Sequence, residues 1–399
     1  MSALSSSSAM RKPGFNPGIN GFRGICVLLV FAYHVAHSGL LDWQGLPAAI
    51  RGGAEYFADS WRYGVELFFM ISGFVIVASL RRHGNVAAFL RDRCLRIFPA
   101  WLPVHLTLFF VGSAIGWKFL ASHDVVQNVV VFTANLLLLP PLIPVAVMHP
   151  ASWSLSYEWL FYLLAAAAWS LAGYSASRYS ILRAALWLAW GAAVLSLLGW
   201  LPRAVFFIPG VIIALGWLPL ERWRPVLRWP LLSLLMFLLA WRMVNLDQAE
   251  PGAYPMDVLL TDARPIYAAI AFMAGLHLFA CLCATRVEWL QRASLQFLGN
   301  ISYSFYLWHP LVMFGVKKLV KATALPELNA ALAVTVFALV SFGLALLVSW
   351  LSYRYCEQRL AKWLHAMSHK PVSPVPAVPI VVSGVVSEAV PASAEGSRI

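Results

Sequence analysis

Charged residues are scarce in this chain of 399 residues. They make up 12% of it and hydrophobic residues make up 61%, against about 25% and about 45–50% in a typical soluble protein. A water-soluble fold with so few charges could not cover its own surface, which excludes a soluble enzyme, a disordered chain and a nucleic-acid-binding protein with a basic surface. The composition therefore predicts a polytopic helical membrane protein whose surroundings are a lipid bilayer.

Acidic residues and cysteines are also few. Asp and Glu number 17 against 29 Lys and Arg, a net charge of +12, and in a membrane protein this excess is typical of basic cytoplasmic loops. The cysteines have no metal-ligand spacing, so we expect small buried hydrophobic residues and no metal site. The five cysteines lie at positions 26, 94, 281, 283 and 356.

Ten apolar runs are long enough to form transmembrane helices of about 20 residues. An eleventh run, 125–140, contains Gln127, Asn128 and Asn135 and ends at two prolines, so we expect a re-entrant or interfacial segment there. The predicted fold is an all-α transmembrane bundle of about ten spans, near residues 21–40, 64–80, 97–116, 153–174, 183–200, 204–220, 229–245, 265–284, 297–316 and 329–352.

The basic residues predict the orientation of this bundle. With ten full spans, the N-terminus, the arginine-rich loop 81–96 and the basic segment 354–362 lie on one side, which the positive-inside rule places in the cytoplasm. We expect residues 1–20 to be a disordered cytoplasmic N-terminus and residues 21–365 to be the membrane domain. Residues 366–399, rich in Pro, Val, Ser and Ala, are expected to form a disordered cytoplasmic tail.

The first predicted span carries two ionisable residues, Arg23 and His34. Eleven residues separate them, close to three helical turns, so both side chains share one face about 16 Å apart. An ionisable residue within a membrane span is costly and marks a functional site, and histidine is suited to act as a general base. The structural alternative is an arginine at headgroup level and a histidine bonded to a neighbouring helix.

Two further clusters lie at the second and third spans. Glu66 begins the second span, in which Gly73 allows close helix packing; the alternative is an interfacial carboxylate. Arg91, Arg93 and Arg96 lie at the start of the third span. Three arginines within six residues can bind phosphates from the cytosolic side, although topology alone favours arginines there.

Two later spans carry the remaining candidates. Trp153 precedes Ser154 and Glu158, which are four residues apart and face the same side of a helix. Tyr303 and His309 share a span that a proline should kink. His309 would be a second buried histidine, and the sequence leaves open whether its role is structural.

Taken together, these residues resemble the acyltransferase 3 family of integral membrane acyltransferases. That family carries an Arg, ten intervening residues and then a His in its first span, as Arg23 and His34 do. Further motifs that resemble the family follow in order, up to about residue 360: Gly64-Val65-Glu66-Leu67-Phe68-Phe69 with Ser72-Gly73-Phe74, Arg93 to Pro99, Trp153-Ser154-Leu155-Ser156 with Glu158, Ser302-Tyr303-Ser304 through Tyr306-Leu307-Trp308-His309, and Tyr353-Arg354-Tyr355-Cys356-Glu357.

The resemblance implies an enzyme of the bacterial inner (plasma) membrane that transfers an acyl group, most often acetyl from acetyl-CoA, to a hydroxyl. No bound cofactor is expected, because acyl-CoA is the donor substrate. The implied acceptor is a carbohydrate or lipid-linked glycan, such as an O-antigen or an exopolysaccharide, and in some members a small molecule. No nucleic acid partner is expected.

These implications lead to a mechanistic hypothesis. His34 acts as general base, and Glu158 or Glu66 serves as its carboxylate partner. Arg23 completes the catalytic set. The other candidates form a donor-binding group, Arg91, Arg93 and Arg96, and an acceptor or oxyanion group, Glu66, Trp153, Ser154, Tyr303 and His309.

Two other functions use similar residues. A proton-coupled transporter of a glycan or lipid-linked intermediate would also place His, Glu and Arg within the membrane, but it would more naturally show two similar halves. A non-catalytic scaffold of a polysaccharide-export complex would not need Arg23 and His34 on one face.

Overall fold

The structure of this protein is a computed structural model, and in the residues that it describes every regular element is a helix. Most of the two predicted tails lies outside the described residues. The helical domain extends further than predicted at both ends, since its first helix begins at Pro17 and its last helix ends at Ser368. The described residues are 16–114, 117, 124–173, 180–246 and 255–368.

The α-helices are numbered here in chain order. Short 3₁₀ helices precede or follow several of them, and a π-helix, Tyr353–Leu360, follows α15. The α-helices are α1 (Pro17–Ala36), α2 (Ala48–Ser60), α3 (Gly64–His83), α4 (Val86–Ala114), α5 (Val125–Leu136), α6 (Ser152–Gly173), α7 (Ser180–Trp200), α8 (Phe207–Leu215), α9 (Leu220–Trp223), α10 (Pro230–Val244), α11 (Pro255–Leu259), α12 (Arg264–Ala284), α13 (Ala293–Lys321), α14 (Leu325–Leu328), α15 (Ala330–Ser352) and α16 (Ala361–Ser368).

Side-chain caps set the start of several helices. The side chain of Asn16 accepts hydrogen bonds from the first free amides of α1, and Pro17 supplies a residue that needs no amide partner there. Asp124 caps α5 and Asn329 caps α15 in the same way. The helical domain therefore begins within the segment that was predicted to be disordered.

Each of the ten predicted apolar runs falls on a helix, but the number of full spans is not confirmed. The helices Pro202–Leu215 and Pro230–Val244 are apolar but shorter than 18 residues. A helix of 15 residues is about 23 Å long, whereas the hydrocarbon core is about 30 Å thick. The number ten stays a prediction. Within the described chain, the helices long and apolar enough to cross a membrane are Pro17–Ala36, Ala48–His83, Val86–Gly112, Ile181–Trp200, Arg264–Ala284 and Ala330–Leu364.

The segment expected to be re-entrant or interfacial forms the short helix α5. Its 12 residues are about 18 Å long, which is too short to cross the bilayer. Asn135, near its end, holds the connection to α6: its amide donates to the Ala146 carbonyl (2.9 Å) and its Oδ1 accepts from the Met148 amide (2.9 Å). The polar residues that weaken this run as a span thus organise the connection that follows it.

His149 lies in the same connection and is a neutral ring. Its Nδ1 accepts from the Ala151 amide (3.0 Å), so its Nε2 carries the proton and donates to the Leu307 carbonyl of α13 (2.9 Å). Burial lowers the pKa of His149 to about 4. Both nitrogens are satisfied only in the neutral form, so His149 ties the connection to α13.

The helices α1, α3 and α13 form the centre of the bundle. α1 packs against both α3 and α13, while α13 also contacts α4 and α15, and α3 also contacts α6 and α8. Asn20 joins α1 to α13, because its amide donates to the Gln296 carbonyl (3.2 Å) and to the Asn300 side chain (3.1 Å). The first span is therefore held on two sides.

Glycines bring α3 and α8 into close contact. A Cβ on Gly73 would lie 2.1 Å from the carbonyl oxygen of Phe207, and one on Gly210 would lie 1.9 Å from that of Met70. No side chain fits at either position. The close packing predicted at Gly73 is confirmed, and it brings the middle of α3 against α8.

The cysteines have no disulfide partner among the described residues. Cys26 and Cys281 are buried, as predicted, whereas Cys94, Cys283 and Cys356 are half-buried. The prediction that all five are buried hydrophobic residues therefore holds for two of them.

Candidate active site

α1 carries Arg23 and His34 on the same side, and each side chain lines a cavity. We call the first the arginine cavity: it has a volume of about 190 Å³ and is lined by Arg23, Arg96 and Glu158, among others. We call the second the histidine cavity: it has a volume of about 440 Å³ and is lined by His34 and Trp153, among others. The two residues predicted to share a face thus lie in two separate compartments.

Two arginines of the arginine cavity, Arg23 and Arg96, make no direct ion pair with a described residue. Glu158 accepts hydrogen bonds from the hydroxyls of Ser72 (2.8 Å) and Tyr162 (2.6 Å). Within the described part of the chain, the guanidinium groups of Arg23 and Arg96 have no hydrogen-bond or ion-pair partner, although both lie within electrostatic range of Glu158. Two cationic groups that face a cavity without a paired anion can bind an anionic ligand.

The three arginines predicted to bind the donor have different positions. Arg96 is exposed and lines the arginine cavity. Arg93 lies at the cavity wall but is buried, where it pairs with Asp92 and donates to the Ser79 hydroxyl (3.2 Å). Arg91 is exposed and is not among the residues that line this cavity. The structure therefore brings Arg96 together with Arg23 and leaves Arg91 outside.

Aromatic rings and arginines surround the histidine cavity. Trp153 and Tyr157 lie at its wall with their ring centroids 5.3 Å apart, and the Arg203 guanidinium lies over the Trp153 ring at 5.3 Å. Arg62 lines the same cavity and pairs with Asp59 (3.7 Å). Aromatic faces beside hydrogen-bonding cations suit a polar ligand with apolar faces.

His34 faces a second histidine rather than a carboxylate. Its ring centroid lies 5.3 Å from that of His309, and its own nitrogens have no hydrogen-bond partner in the described chain. The Nδ1 of His309 donates to the Phe305 carbonyl (2.9 Å), while its Nε2 is buried without a described partner. The Nε2 lone pair of His309 is therefore free to accept a hydrogen bond.

The expected carboxylate partner of His34 is corrected by this geometry. Glu66 is fully buried and bonds Arg203 (3.3 Å) and the Trp241 indole (3.3 Å), not His34. Glu158, the other expected partner, lines the arginine cavity and not the histidine cavity that contains His34. The reason is helix packing: Glu66, in the first turn of α3, faces the 3₁₀ helix Pro202–Phe206 and α10, whereas Glu158 faces Ser72 of α3.

The acceptor and oxyanion candidates are divided between the cavities. Trp153 lines the histidine cavity, whereas Ser154 and Tyr303 line the arginine cavity. The Tyr303 hydroxyl already donates to the Ile97 carbonyl (3.2 Å). His309 is not among the residues that line either cavity, but its ring lies beside that of His34, which lines the histidine cavity.

Three residues at the site were not singled out from the sequence. Tyr306 lines both cavities, and Arg203 lines the histidine cavity. Glu357 lies on the π-helix after α15, accepts a hydrogen bond from Ser304 and is within electrostatic range of Arg23. Tyr306 and Glu357 belong to motifs quoted above, and those motifs were the available signal; Arg203 follows a proline at the end of a long apolar run and carries none.

An apolar helical bundle with one cavity lined by arginines and another lined by a histidine has the features of a membrane protein that binds polar ligands. The comparison with known families identifies the enzyme class. Residues 16–354 match the family described as an acyltransferase domain, and the chain belongs to this acyltransferase 3 family.

Two relatives support this assignment. The chain is 27% identical over 327 residues to acyltransferase MdmB of Streptomyces mycarofaciens, a match that covers 74% of this chain and 79% of the relative. It is 29% identical over 311 residues to the exopolysaccharide production protein ExoZ of Rhizobium meliloti (strain 1021), covering 75% and 89%. No solved structure matches the chain. The apolar helices and the family together make this protein an integral membrane acyltransferase.

Proposed function

We propose that this protein transfers an acetyl or other short acyl group from cytosolic acyl-CoA to a hydroxyl of a glycan, with His34 as general base. The observation that carries the proposal is the position of Arg23 and His34, one in each of two adjoining cavities on the same helix. Such an arrangement lets a donor and an acceptor meet from opposite sides of a membrane. Acyl-CoA is a substrate here, and the reaction needs no bound cofactor.

The arginine cavity is the donor site in this proposal. Acyl-CoA carries several phosphate charges, and the unpaired guanidinium groups of Arg23 and Arg96 suit them. Exposed arginines near this end of the bundle, Arg81, Arg82 and Arg91, favour a cytoplasmic location by the positive-inside rule. The thioester then extends along α1 toward His34.

The histidine cavity is the acceptor site. Sugar rings have apolar faces that stack on aromatic side chains, and Trp153 and Tyr157 provide such rings beside Arg203 and His34. The name of one relative refers to exopolysaccharide production, which supports a glycan such as an exopolysaccharide, an O-antigen or a lipid-linked sugar. The location that follows is a bacterial inner membrane with both termini in the cytoplasm.

The chemistry is one acyl transfer. His34 removes the proton of the acceptor hydroxyl as its oxygen attacks the thioester carbon. The carbonyl electron pair moves onto its oxygen, and a hydrogen-bond donor stabilises the resulting oxyanion. When the carbonyl re-forms, the C–S bond breaks, and the departing CoA thiolate takes the proton held by His34. The products are an ester and free CoA.

The test is acyl transfer by the purified full-length protein in lipid nanodiscs, with radiolabelled acetyl-CoA and glycans extracted from a deletion strain. We expect His34→Ala to lower the rate by about 100-fold or more, since general base catalysis contributes about 10²–10⁴-fold. His37→Ala is the matched control: His37 ends the same helix, is exposed and lies outside the lining of the histidine cavity. It should retain the wild-type rate.

Equal rates for His34→Ala and wild type would contradict the mechanism. Separately, mass spectrometry of surface and secreted glycans from deletion and complemented strains would identify the acyl group and the acceptor. Glycan movement into liposomes without consumption of acetyl-CoA would favour the transporter alternative instead.

A further inference from the structure

The arginine cavity and the histidine cavity adjoin each other and share lining residues. Of the residues that the structure describes, Tyr306 and Val65 line both cavities. Both are almost completely buried, with exposures of 8% and 7%. Tyr306 supplies most of the bulk, because its ring is far larger than the valine side chain. The Tyr306 ring therefore lies between the two cavities.

The position of the Tyr306 ring is fixed by its hydroxyl. Ser154 donates its single hydroxyl proton to the Ala151 carbonyl (2.9 Å). Its oxygen lies 2.9 Å from the Tyr306 hydroxyl, so Tyr306 must be the donor of that bond. The rings of Phe68 and His309 also pack against the Tyr306 ring, with centroids 6.2 and 6.1 Å from its centroid.

We infer that Tyr306 is the partition between the two cavities: its ring closes the path across the membrane, and during transfer its hydroxyl proton leaves the Ser154 oxygen and is donated as a hydrogen bond to the thioester carbonyl. The second part rests on the proposed function, whereas the first part rests only on the two cavities opening on opposite sides of the membrane. Tyr306 lines both cavities, so its hydroxyl is placed where a donor and an acceptor would meet, whereas Tyr303 lines the arginine cavity but not the histidine cavity.

A closed path between the two cavities would prevent protons from leaking across the bilayer. Two polar cavities that enter a membrane from opposite sides would form a continuous water path if their common wall were removed. Such a path would let protons cross the bilayer. Because Val65 alone cannot fill the space of the Tyr306 ring, the barrier depends on the tyrosine.

The leak test uses the full chain in liposomes that contain a pH-sensitive dye, with no acyl donor present. After an external pH jump, we expect Tyr306→Ala to equilibrate at least about tenfold faster than wild type. Tyr306→Phe, which keeps the ring, should be as tight as wild type. Tyr303→Ala is the matched control, because it removes the same ring from the same helix but from one cavity alone. Tyr306→Leu is a second opening variant in case the alanine variant fails to fold.

The transfer test measures kcat and KM for the same variants. Tyr306→Phe should lower kcat by about 100-fold, the range seen when one oxyanion donor is removed, with the KM for acetyl-CoA unchanged. Alanine and leucine variants that remain as tight as Tyr303→Ala would overturn the barrier, and a normal kcat for Tyr306→Phe would overturn the hydroxyl role. If wild type transfers no acyl group at all, the proposed function fails, but the leak result still decides the barrier.

Discussion

The two ring nitrogens of His309 have unequal surroundings. Nδ1 is bound to the Phe305 carbonyl, and Nε2 is buried without a described partner beside the His34 ring. We expect that the His34 ring donates its N–H to this Nε2 during transfer. That bond would leave the other nitrogen of His34 unprotonated toward the histidine cavity, as a base requires. His309 is thus a positioning residue in this arrangement.

Amide substitutions can separate the two nitrogens of His309. His309→Gln keeps an acceptor near the Nε2 position, whereas His309→Asn keeps a donor near Nδ1 and loses the acceptor. We expect the asparagine variant to lower kcat by about tenfold or more, a smaller loss than the contribution of about 10²–10⁴-fold from the base itself, and the glutamine variant to stay within about threefold. The KM for acetyl-CoA should not change. An equal loss in both variants would indicate a packing role only.

Arg96 should determine the affinity for the donor. Its side chain lines the arginine cavity without a described partner, so Arg96→Gln removes a phosphate contact. We expect the KM for acetyl-CoA to rise by about tenfold, or about 1.4 kcal/mol, with kcat little changed. Arg91→Gln is the control, since Arg91 is exposed outside that cavity. If both substitutions have the same small effect on KM, the phosphates bind elsewhere.

The sequence predicted the residues of the site better than their partners. The shared face of Arg23 and His34 follows from helical periodicity, which is a local property. The pairing of Glu66 with Arg203, across 137 residues of chain, depends on how α3 packs against the 3₁₀ helix Pro202–Phe206. Nothing in the local pattern around Arg203 encodes that contact. Sequence spacing alone is therefore a poor basis for predicting which carboxylate contacts a given histidine.

At the scale of elements, apolar runs predicted where helices occur but not where they end. α1 begins earlier than its apolar run because Asn16 and Pro17 favour a helix start. α2 was not predicted, because its sequence mixes charged residues, glycines and apolar residues. Residues 353–360 form a π-helix, which shows no distinct apolar period. Composition thus locates spans, whereas caps and tertiary contacts determine their bounds.

His149, in the connection between α5 and α6, should make the free energy of unfolding decrease as the pH falls. The pKa of His149 is about 4 in the folded protein and 6.5 ordinarily, so the unfolded chain binds a proton first as the pH falls. The contribution is fully present above pH 6.5 and is lost as the pH falls toward 4, by an amount on the order of 3 kcal/mol. His149→Gln, which cannot titrate, removes this dependence.

The measurement is the melting temperature in detergent between pH 7.5 and 4. The melting temperature of wild type should decrease more over this interval than that of His149→Gln. At pH 7.5 the variant should already melt at a lower temperature, because it lacks the hydrogen bonds of the histidine ring. His37→Gln, at an exposed histidine outside the connection, is the control and should follow wild type. Parallel profiles for His149→Gln and wild type would show that His149 titrates normally.

At the scale of the whole molecule, the proposed function requires that the two cavities open on opposite sides of the membrane. The helix α3 separates two exposed markers of these sides. Gly53 lies on α2, before α3 and before Arg62, which lines the histidine cavity. Arg91 lies on α4, after α3 and before Arg96, which lines the arginine cavity. With 20 residues, α3 is about 30 Å long, which matches the hydrocarbon core. The two markers should therefore lie on opposite faces of the bilayer.

Single cysteines at these positions can test the sidedness. In a background with the five native cysteines replaced, Gly53→Cys should react with a membrane-impermeant maleimide in spheroplasts, and Arg91→Cys should react only in inside-out vesicles. Neither substitution disturbs packing, since a Cβ on Gly53 meets no atom within 4 Å and Arg91 is exposed. Labelling of both from the same side would place donor and acceptor in one compartment. Transfer across the bilayer would then be excluded, and His34 would act on substrates from a single face.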